Sequence, residues 1–355
     1  MTAMDIMICI FVFIFGSVIG SFLNVVIYRT PLKQSIINEP SHCFSCGKRL
    51  KWYDMFPIFS WIILRGKCRF CGSLISPRYM IMEMLCGLSY LGAYLVYNFS
   101  WEFVVACILF AVLLVLSGID IDYFEIPYWC SIVVGILGIA SFFIPWGEAF
   151  DSLWYERLIS FCIVAVIFFV LVLIGCVGGG DFQLMLGASL LLGYHIFSAL
   201  FISIVIGAIY GIIKKIQDKK EEQKITEQIY EIALKWYQKQ YDIGIGYVTE
   251  DNDDVIIGNI TNGKPNIEWE YINEEVWRGI PNKSALSHTI CEKITNEREG
   301  IFRIFIKAGQ IKKVKYSRRM AFGPFLAIGI AIAYLFGDLL VNWYVGVIFS
   351  TICSF

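Results

Sequence analysis

The sequence predicts an all-α polytopic membrane protein with about eight transmembrane helices and two polar cytoplasmic segments. Hydrophobic residues make up 57% of the 355 residues, charged residues only 17%, and the mean hydropathy is +0.66. A soluble globular protein has about 45–50% apolar and about 25% charged residues, so the composition excludes an ordinary soluble domain. The net charge of −1 gives no indication of a nucleic-acid partner.

The apolar runs give the number of spans, because a bilayer core about 30 Å thick needs about 20 apolar residues per helix. The first run, Ile6–Tyr28, lacks a small-residue cleavage site, so we expect a retained span. The uncharged stretch 182–213 would form a helix about 48 Å long, and we expect it to break at Gly193-Tyr194-His195 into two short helices. Single spans are predicted at 81–97, 103–119, 128–145, 158–177 and 321–350.

Basic residues orient the chain, because loops rich in Lys and Arg stay in the cytoplasm. Residues 29–80 hold nine basic residues against two acidic ones, and lysines and arginines also begin and end the polar segment 214–319. Both segments are therefore expected in the cytoplasm, with both termini outside. The predicted divisions are a first transmembrane helix at 1–28, a cytoplasmic module at 29–80, a transmembrane core at 81–213, a cytoplasmic insertion at 214–319 and a last transmembrane helix at 320–355.

Four cysteines of the 29–80 segment have the spacing of a metal site. Cys43 and Cys46 form one C-x-x-C pair, and Cys68 and Cys71 form a second after 21 intervening residues. Each pair precedes a glycine, which permits the tight turn that brings backbone amides toward the thiolates. The pattern favours tetrahedral structural zinc over the alternative, a disulfide, which the reducing cytoplasm disfavours. A closed Cys₄ site has no open position, so this small zinc-binding module is assigned to folding rather than catalysis.

Two aspartates lie at the ends of apolar runs. Asp120 is in the segment 118–127 (GIDIDYFEIP), and Asp181 directly follows Gly178, Gly179 and Gly180. The predicted topology places both at cytoplasmic helix ends and at similar depth, where carboxylates are costly and often functional. Two carboxylates that share a site cannot both ionise easily, so one can act as a general acid while the other deprotonates a water. The glycines leave room for an extended substrate backbone.

Asp122 and Glu125, which lie near Asp120, are interpreted as ordinary surface charges, because acidic residues at helix ends are often simply interfacial.

Taken together, the motifs make the sequence resemble the bacterial type IV prepilin peptidases, a GxGD-type membrane aspartyl protease family. Residues 20–29 (GSFLNVVIYR) resemble the family's N-terminal signature, and 60–68 and 75–79 around the cysteines are also similar. Asp120, seven residues before Pro127, and Asp181 match the two catalytic aspartates. The segment 321–325 (AFGPF) resembles the start of the last span. The resemblance covers about 1–213 and 320–350.

The resemblance implies a multi-pass aspartyl endopeptidase of the bacterial inner membrane with its active site on the cytoplasmic side. Members remove the leader from type IV prepilins or pseudopilins after a glycine, and many also methylate the new N-terminus with S-adenosylmethionine. No Gly-rich loop between a strand and a helix is visible for that cofactor, so the methyl-donor-binding residues stay unassigned. Gln183 departs from the family's usual Lys at that position.

The segment 216–319 is the largest departure from the family's pattern, because only a short loop is expected there. The alternating stretch 302–307 (FRIFIK), the helix-like 227–240 and the turn-like Asn262-Gly263 predict a small α+β insertion. The insertion is either a docking surface for pilus or secretion assembly proteins or a tolerated addition.

Three alternatives remain open at the level of sequence. A presenilin-type protease also uses G-x-G-D, but its partner aspartate follows a tyrosine, whereas Asp120 follows Ile119. A non-enzymatic zinc-bearing scaffold or transporter would bind ions with the two aspartates, although transporters place such sites near the bilayer midplane. The third alternative is a peptidase without methyltransferase activity.

Overall fold

The computed structural model describes residues 2–37, 40–143, 154–175, 177–241, 253–261, 264–266, 300–307, 310–317 and 320–352. The chain divides into two compact units, one formed by 1–207 with 321–355 and the other by 208–320. Among the described residues, strands occur only in the second unit.

Helices build the first unit, which confirms the prediction of a helical membrane protein. Their bounds are α1 Ala3–Arg29, α2 Phe59–Ile63, α3 Arg78–Tyr97, α4 Trp101–Tyr123, α5 Tyr128–Ala140, α6 Trp154–Leu173, α7 Gly179–Leu192, α8 His195–Tyr241 and α9 Gly323–Ile352. A short 3₁₀ turn, Trp52–Met55, precedes α2. The central helix is α4, because 61% of its most apolar stretch is buried, more than in any other spanning helix described.

Six described helices are long and apolar enough to cross a membrane: α1, α3, α4, α6, the part of α8 up to Lys220, and the part of α9 up to Val341. The sequence predicts eight spans, and the two that fall short are α5, with 13 residues, and α7, with 14. Leu184, Met185 and Ala188 of α7 are fully buried. Such a helix is covered by protein and therefore does not need the length of a lipid-facing span.

The predicted break at 193–195 coincides with the turn between α7 and α8, where Gly193 has φ 56°. The helix that follows is not short, however, because α8 continues for 47 residues. His195 begins α8 and is 2% exposed, with its Nε2 3.1 Å from Asp338 Oδ1.

α1 and α3 pack backbone to backbone. A Cβ atom on Gly16 would lie 2.9 Å from the carbonyl oxygen of Cys86, and one on Gly20 would lie 2.8 Å from the Cys86 Cβ. Small residues permit this close approach of membrane helices. Asn24 Nδ2 also donates to the carbonyl of Tyr79 at 3.1 Å. The contact holds together the two ends of the cysteine segment, which leaves the end of α1 and enters the start of α3.

The second unit contains the C-terminal part of α8 and a four-stranded antiparallel sheet with the order β2-β1-β3-β4. The strands are β1 Asp253–Thr261, β2 Lys264–Asn266, β3 Gly300–Lys307 and β4 Gln310–Ser317. The helix-like segment 227–240 lies in α8, and 302–307 lies in β3. Thr261 pairs with Lys264, so two residues connect β1 and β2. These are the predicted turn residues Asn262 and Gly263, which lie outside the described residues.

Candidate active site and metal centre

Asp120 lies in the last turn of α4 and is only 5% exposed. Its Oδ2 accepts the backbone N–H of Gly323 at 2.8 Å, so the start of α9 holds a carboxylate 203 residues earlier in the chain. A Cβ atom at position 323 would lie 2.7 Å from the same oxygen. The close approach therefore requires a glycine, which sequence reasoning noted only as part of the 321–325 motif.

Asp181 lies in the first turn of α7, outside the six membrane-spanning segments. Its Oδ1 is buried and has no hydrogen-bond partner among the described residues. Burial, and then the negative charge of Asp120, raises the pKa of Asp181 to about 6. The two carboxyl groups are thus close enough to interact electrostatically.

Ile126 adjoins Gly180, which precedes Asp181, and Gly323, whose amide binds Asp120. A Cβ atom on Gly180 would lie 2.9 Å from the Ile126 Cβ, and one on Gly323 would lie 3.3 Å from the Ile126 Cδ1. Gly180 therefore lets α7 approach Ile126, two residues before the start of α5. A Cβ atom on Gly179 would meet nothing within 4 Å among the described residues, so the chain has open space directly before Gly180 and Asp181.

Asp122 is exposed, as expected of a surface charge, and it forms an ion pair that the sequence does not predict. Both of its carboxylate oxygens lie 2.6 Å from Arg78 Nη1, and Arg78 Nη2 donates to the carbonyl of Gly118 at 2.9 Å. The first residue of α3 therefore fixes the turn of α4 that carries Asp120. Glu125 is exposed, as expected.

The four predicted metal ligands converge. The sulfurs of Cys43, Cys46, Cys68 and Cys71 all lie within 4.8 Å of one another, and those of Cys43 and Cys71 are 3.9 Å apart. A zinc tetrahedron with Zn–S bonds of about 2.3 Å places its sulfurs roughly 3.8 Å apart. A disulfide needs about 2.05 Å. The cluster therefore has the dimensions of a Cys₄ zinc site.

The two cysteine pairs have the same backbone turn. Gly47 N–H donates to the carbonyl of Cys43 at 2.8 Å, and Gly72 N–H donates to that of Cys68 at 2.9 Å. Both glycines have positive φ, 68° and 71°, which residues with a Cβ rarely adopt. The positive φ explains why a glycine follows each cysteine pair.

Ser73 is a further contact of the metal site that sequence reasoning missed. Its hydroxyl lies 3.1 Å from the Cys71 sulfur and 3.6 Å from that of Cys43. The backbone amide of Cys46 and the Ser73 hydroxyl lower the pKa of Cys43 to about 6, and the same hydroxyl lowers the pKa of Cys71. Desolvation and the neighbouring Cys71 thiol, by contrast, raise the pKa of Cys46 to about 11. Thiolates are the forms that bind zinc, so the surroundings of Cys43 and Cys71 are the ones that favour metal binding.

Two protein-family models match consecutive parts of the chain. The family model described as Bacterial Peptidase A24 N-terminal domain matches residues 14–97, and that of the Type IV leader peptidase family matches 107–212. These matches confirm the resemblance that the sequence motifs indicate. No solved structure matches the chain.

Three relatives illustrate the match. A prepilin leader peptidase/N-methyltransferase of Bacillus subtilis is 33% identical over 210 residues, which are 56% of this chain and 80% of the relative. The protein of that name from Myxococcus xanthus is 37% identical over 213 residues, 58% of this chain but only 62% of the relative. A type 4 prepilin-like proteins leader peptide-processing enzyme of Escherichia coli is 37% identical over 130 residues, 32% of this chain and 48% of the relative.

Proposed function

We propose, from the premise that the chain belongs to the type IV leader peptidase family, that it is a membrane-embedded aspartyl endopeptidase. Its substrates are type IV prepilins or pseudopilins, cleaved after a glycine at the cytoplasmic face of the bacterial inner membrane. The observation that carries the proposal is the convergence of two aspartates next to Ile126, with Asp120 held by the Gly323 amide and Asp181 keeping a buried oxygen without a partner among the described residues. Asp181 Oδ1 has no partner among the described residues and is thus available to a substrate or a water.

The pair can hydrolyse a peptide bond with one proton between the two carboxyl groups. The ionised carboxylate takes a proton from a water, and the water oxygen bonds to the carbonyl carbon of the leader's last glycine. The protonated carboxyl gives its proton to the nitrogen as the C–N bond breaks, which restores the single shared proton. The Gly323 amide fixes the Asp120 oxygen, and the open space at Gly179 gives room for the substrate backbone.

Zinc is proposed as a structural ion at Cys43, Cys46, Cys68 and Cys71. Four thiolates leave no position for a water or a substrate, so the ion would stabilise the cysteine module and take no part in hydrolysis.

Methylation of the new N-terminus is proposed as a second activity, because the Bacillus and Myxococcus relatives are named as N-methyltransferases as well as peptidases. S-adenosylmethionine would supply an activated methyl group bound to a positively charged sulfur. That methyl group would be transferred to the nitrogen of the new N-terminus, with S-adenosylhomocysteine and a proton as the other products. The carboxyl pair is committed to hydrolysis, so this activity needs a second site.

Mass spectrometry of a purified prepilin incubated with the detergent-solubilised enzyme tests both activities. We expect loss of the leader after its glycine, no cleavage when that glycine is replaced by a bulky residue, and a gain of one CH₂ only when S-adenosylmethionine is added. An intact prepilin after long incubation would contradict the peptidase proposal. A cleaved product that gains no CH₂ would contradict the methyltransferase proposal alone.

A further inference from the structure

The stretch 52–63, which contains the 3₁₀ turn and α2, carries a cluster of exposed apolar side chains. Six large ones are between 43% and 77% exposed: Trp52, Met55, Phe56, Phe59, Ile62 and Ile63. Phe59 and Ile63 are four residues apart in α2 and therefore lie on the same face of that helix. Clusters of exposed apolar side chains indicate a protein or a membrane contact.

The stretch 52–63 is attached well inside the ends of the two neighbouring helices. The backbone N–H of Ile58 donates to Oε2 of the buried Glu83 at 2.7 Å. Glu83 lies five residues beyond the start of α3, which is about 7.5 Å along the helix axis. A Cβ atom on Gly20 of α1 would lie 2.9 Å from the Glu83 Cα. Gly20 is nine residues, or about 13.5 Å, from the end of α1 at Arg29.

These lengths can be compared with the dimensions of a bilayer. Arg29 ends α1, and Arg78 begins α3 and pairs with Asp122, so charged groups mark the membrane boundary on this side. The headgroup layer of each leaflet is about 5–7 Å thick. The Glu83 side chain leans a short way back toward the start of its helix. We therefore expect the Ile58 amide near the junction of headgroups and acyl chains, the depth at which interfacial helices are found.

The backbone around α2 suits an environment with little water, in which polar groups must find partners within the protein. The amides of Ser60, Ile62 and Leu64 donate to carbonyls four residues earlier, at 3.0–3.1 Å. Ile58 precedes α2 with φ 62°, so its N–H has no partner within the helix, and the Glu83 carboxylate supplies one. An acidic side chain within α3 thus satisfies the turn that enters α2.

The charges around the stretch 52–63 suit phospholipid headgroups. Lys51 precedes the stretch, and Arg65 and Lys67 follow it, all three of them exposed. Asp54, the one acidic residue between these cations, pairs with Arg69 at 2.7 Å. Basic side chains next to a membrane-embedded segment extend to the headgroup phosphates and are attracted by anionic lipids. The apolar side chains are therefore flanked by positive charge on both sides.

We propose that the stretch 52–63 is inserted into the membrane leaflet that adjoins the cysteine segment, with its exposed apolar side chains among the acyl chains and the flanking basic residues at the headgroup phosphates. Phe22 of α1 and Ile81 of α3, which are also exposed near the same ends of their helices, would face the same lipid. The sequence predicts all of 29–80 in the cytoplasm, and the inference moves this stretch to the membrane. A second copy of the chain is the alternative occupant, but a two-fold contact would bring the basic residues of both copies together. The inference depends on neither proposed activity.

Electron paramagnetic resonance of a spin label at position 63 measures its depth in a bilayer. The label is coupled to a keto-bearing amino acid that replaces Ile63, because thiol labels would react with the cysteines. The full-length protein is placed in nanodiscs of phosphatidylethanolamine and phosphatidylglycerol. The accessibility of the label is measured for oxygen, which concentrates among acyl chains, and for a polar nickel chelate, which stays in water. The matched positions are Ile14, an exposed side chain near the middle of α1, and Arg49, an exposed cation of the cysteine segment.

We expect the ratio of oxygen to nickel accessibility at position 63 to be several-fold higher than at position 49 and to approach the ratio at position 14. A label in place of Phe59, on the same face of α2, should give the same result, and unchanged zinc content shows that each labelled protein is intact. Ratios at 59 and 63 equal to that at 49 would overturn the inference in favour of a surface in water. Low accessibility to both reagents would overturn it in favour of a protein cover, such as a second copy of the chain.

Discussion

At the scale of single residues, the contact between the Gly323 amide and Asp120 is the one on which the proposed active site depends most. We predict that Gly323→Ala lowers cleavage about 10- to 100-fold, because a Cβ there would displace the carboxylate and small misplacements of catalytic groups have effects of that order. Gly92→Ala is the control, since among the described residues its Cβ would meet only Leu335 Cδ1, at 3.7 Å. The initial rate of leader release measures both, and equal loss in the two variants would contradict the prediction.

The raised pKa of Asp181 predicts the pH dependence of cleavage. An ordinary aspartate has lost its proton well below pH 6, but with a pKa of about 6 Asp181 keeps its proton until that pH. Above it, both carboxyl groups become charged and the general acid is lost, so kcat should fall as pH rises through about 6. A kcat profile with zinc content checked at each pH tests this. A kcat that stays constant on both sides of pH 6 would be inconsistent with a shared proton.

Sequence reasoning identified Asp120, Asp181 and the cysteines because each has a local motif. It missed the partners of Asp122 and Asp120, since Arg78 and Gly323 are 44 and 203 residues away from them. No local sequence pattern predicts a contact between residues so far apart in the chain.

At the scale of elements, the cysteine module is predicted to depend on its metal. Purified wild type should hold about one zinc per chain, and Cys68→Ser should lose most of it and lower the midpoint of thermal unfolding, because metal binding contributes directly to folding. Elemental analysis and thermal unfolding measure the two effects. Cys162→Ser, an exposed cysteine on α6, should change neither. Zinc retained in full by Cys68→Ser would refute the Cys₄ assignment.

The helices show why the number of spans was harder to predict than their positions. All eight predicted runs correspond to helices, yet α5 and α7 are too short to count as spans. Hydropathy detects apolar helices whether their surroundings are lipid or protein. Whether a helix is surrounded by lipid or by protein depends on its packing, as in the full burial of Leu191 and Leu192 at the end of α7.

At the scale of the whole molecule, every residue proposed for catalysis or zinc binding belongs to the first unit. We therefore predict that replacing 216–319 by a short flexible linker leaves at least about half of the cleavage activity per folded molecule, because the proposed chemistry uses none of that segment. Leader release, normalised to zinc-bound protein, provides the measurement. If the segment docks assembly proteins, pilus assembly or secretion should be lost while cleavage persists. Loss of cleavage itself would show that the insertion contributes to the active site.

The most direct test of the central claim compares Asp120→Asn and Asp181→Asn with the wild type, each co-expressed with a prepilin at matched membrane levels. Asparagine keeps the size of the side chain but cannot exchange a proton, and Glu125→Gln controls for the loss of an exposed carboxylate on the same side. The account predicts that mass spectrometry finds the leader removed by the wild type and Glu125→Gln but retained with either aspartate variant. Cleavage at the wild-type rate by Asp120→Asn or Asp181→Asn would contradict the aspartyl mechanism.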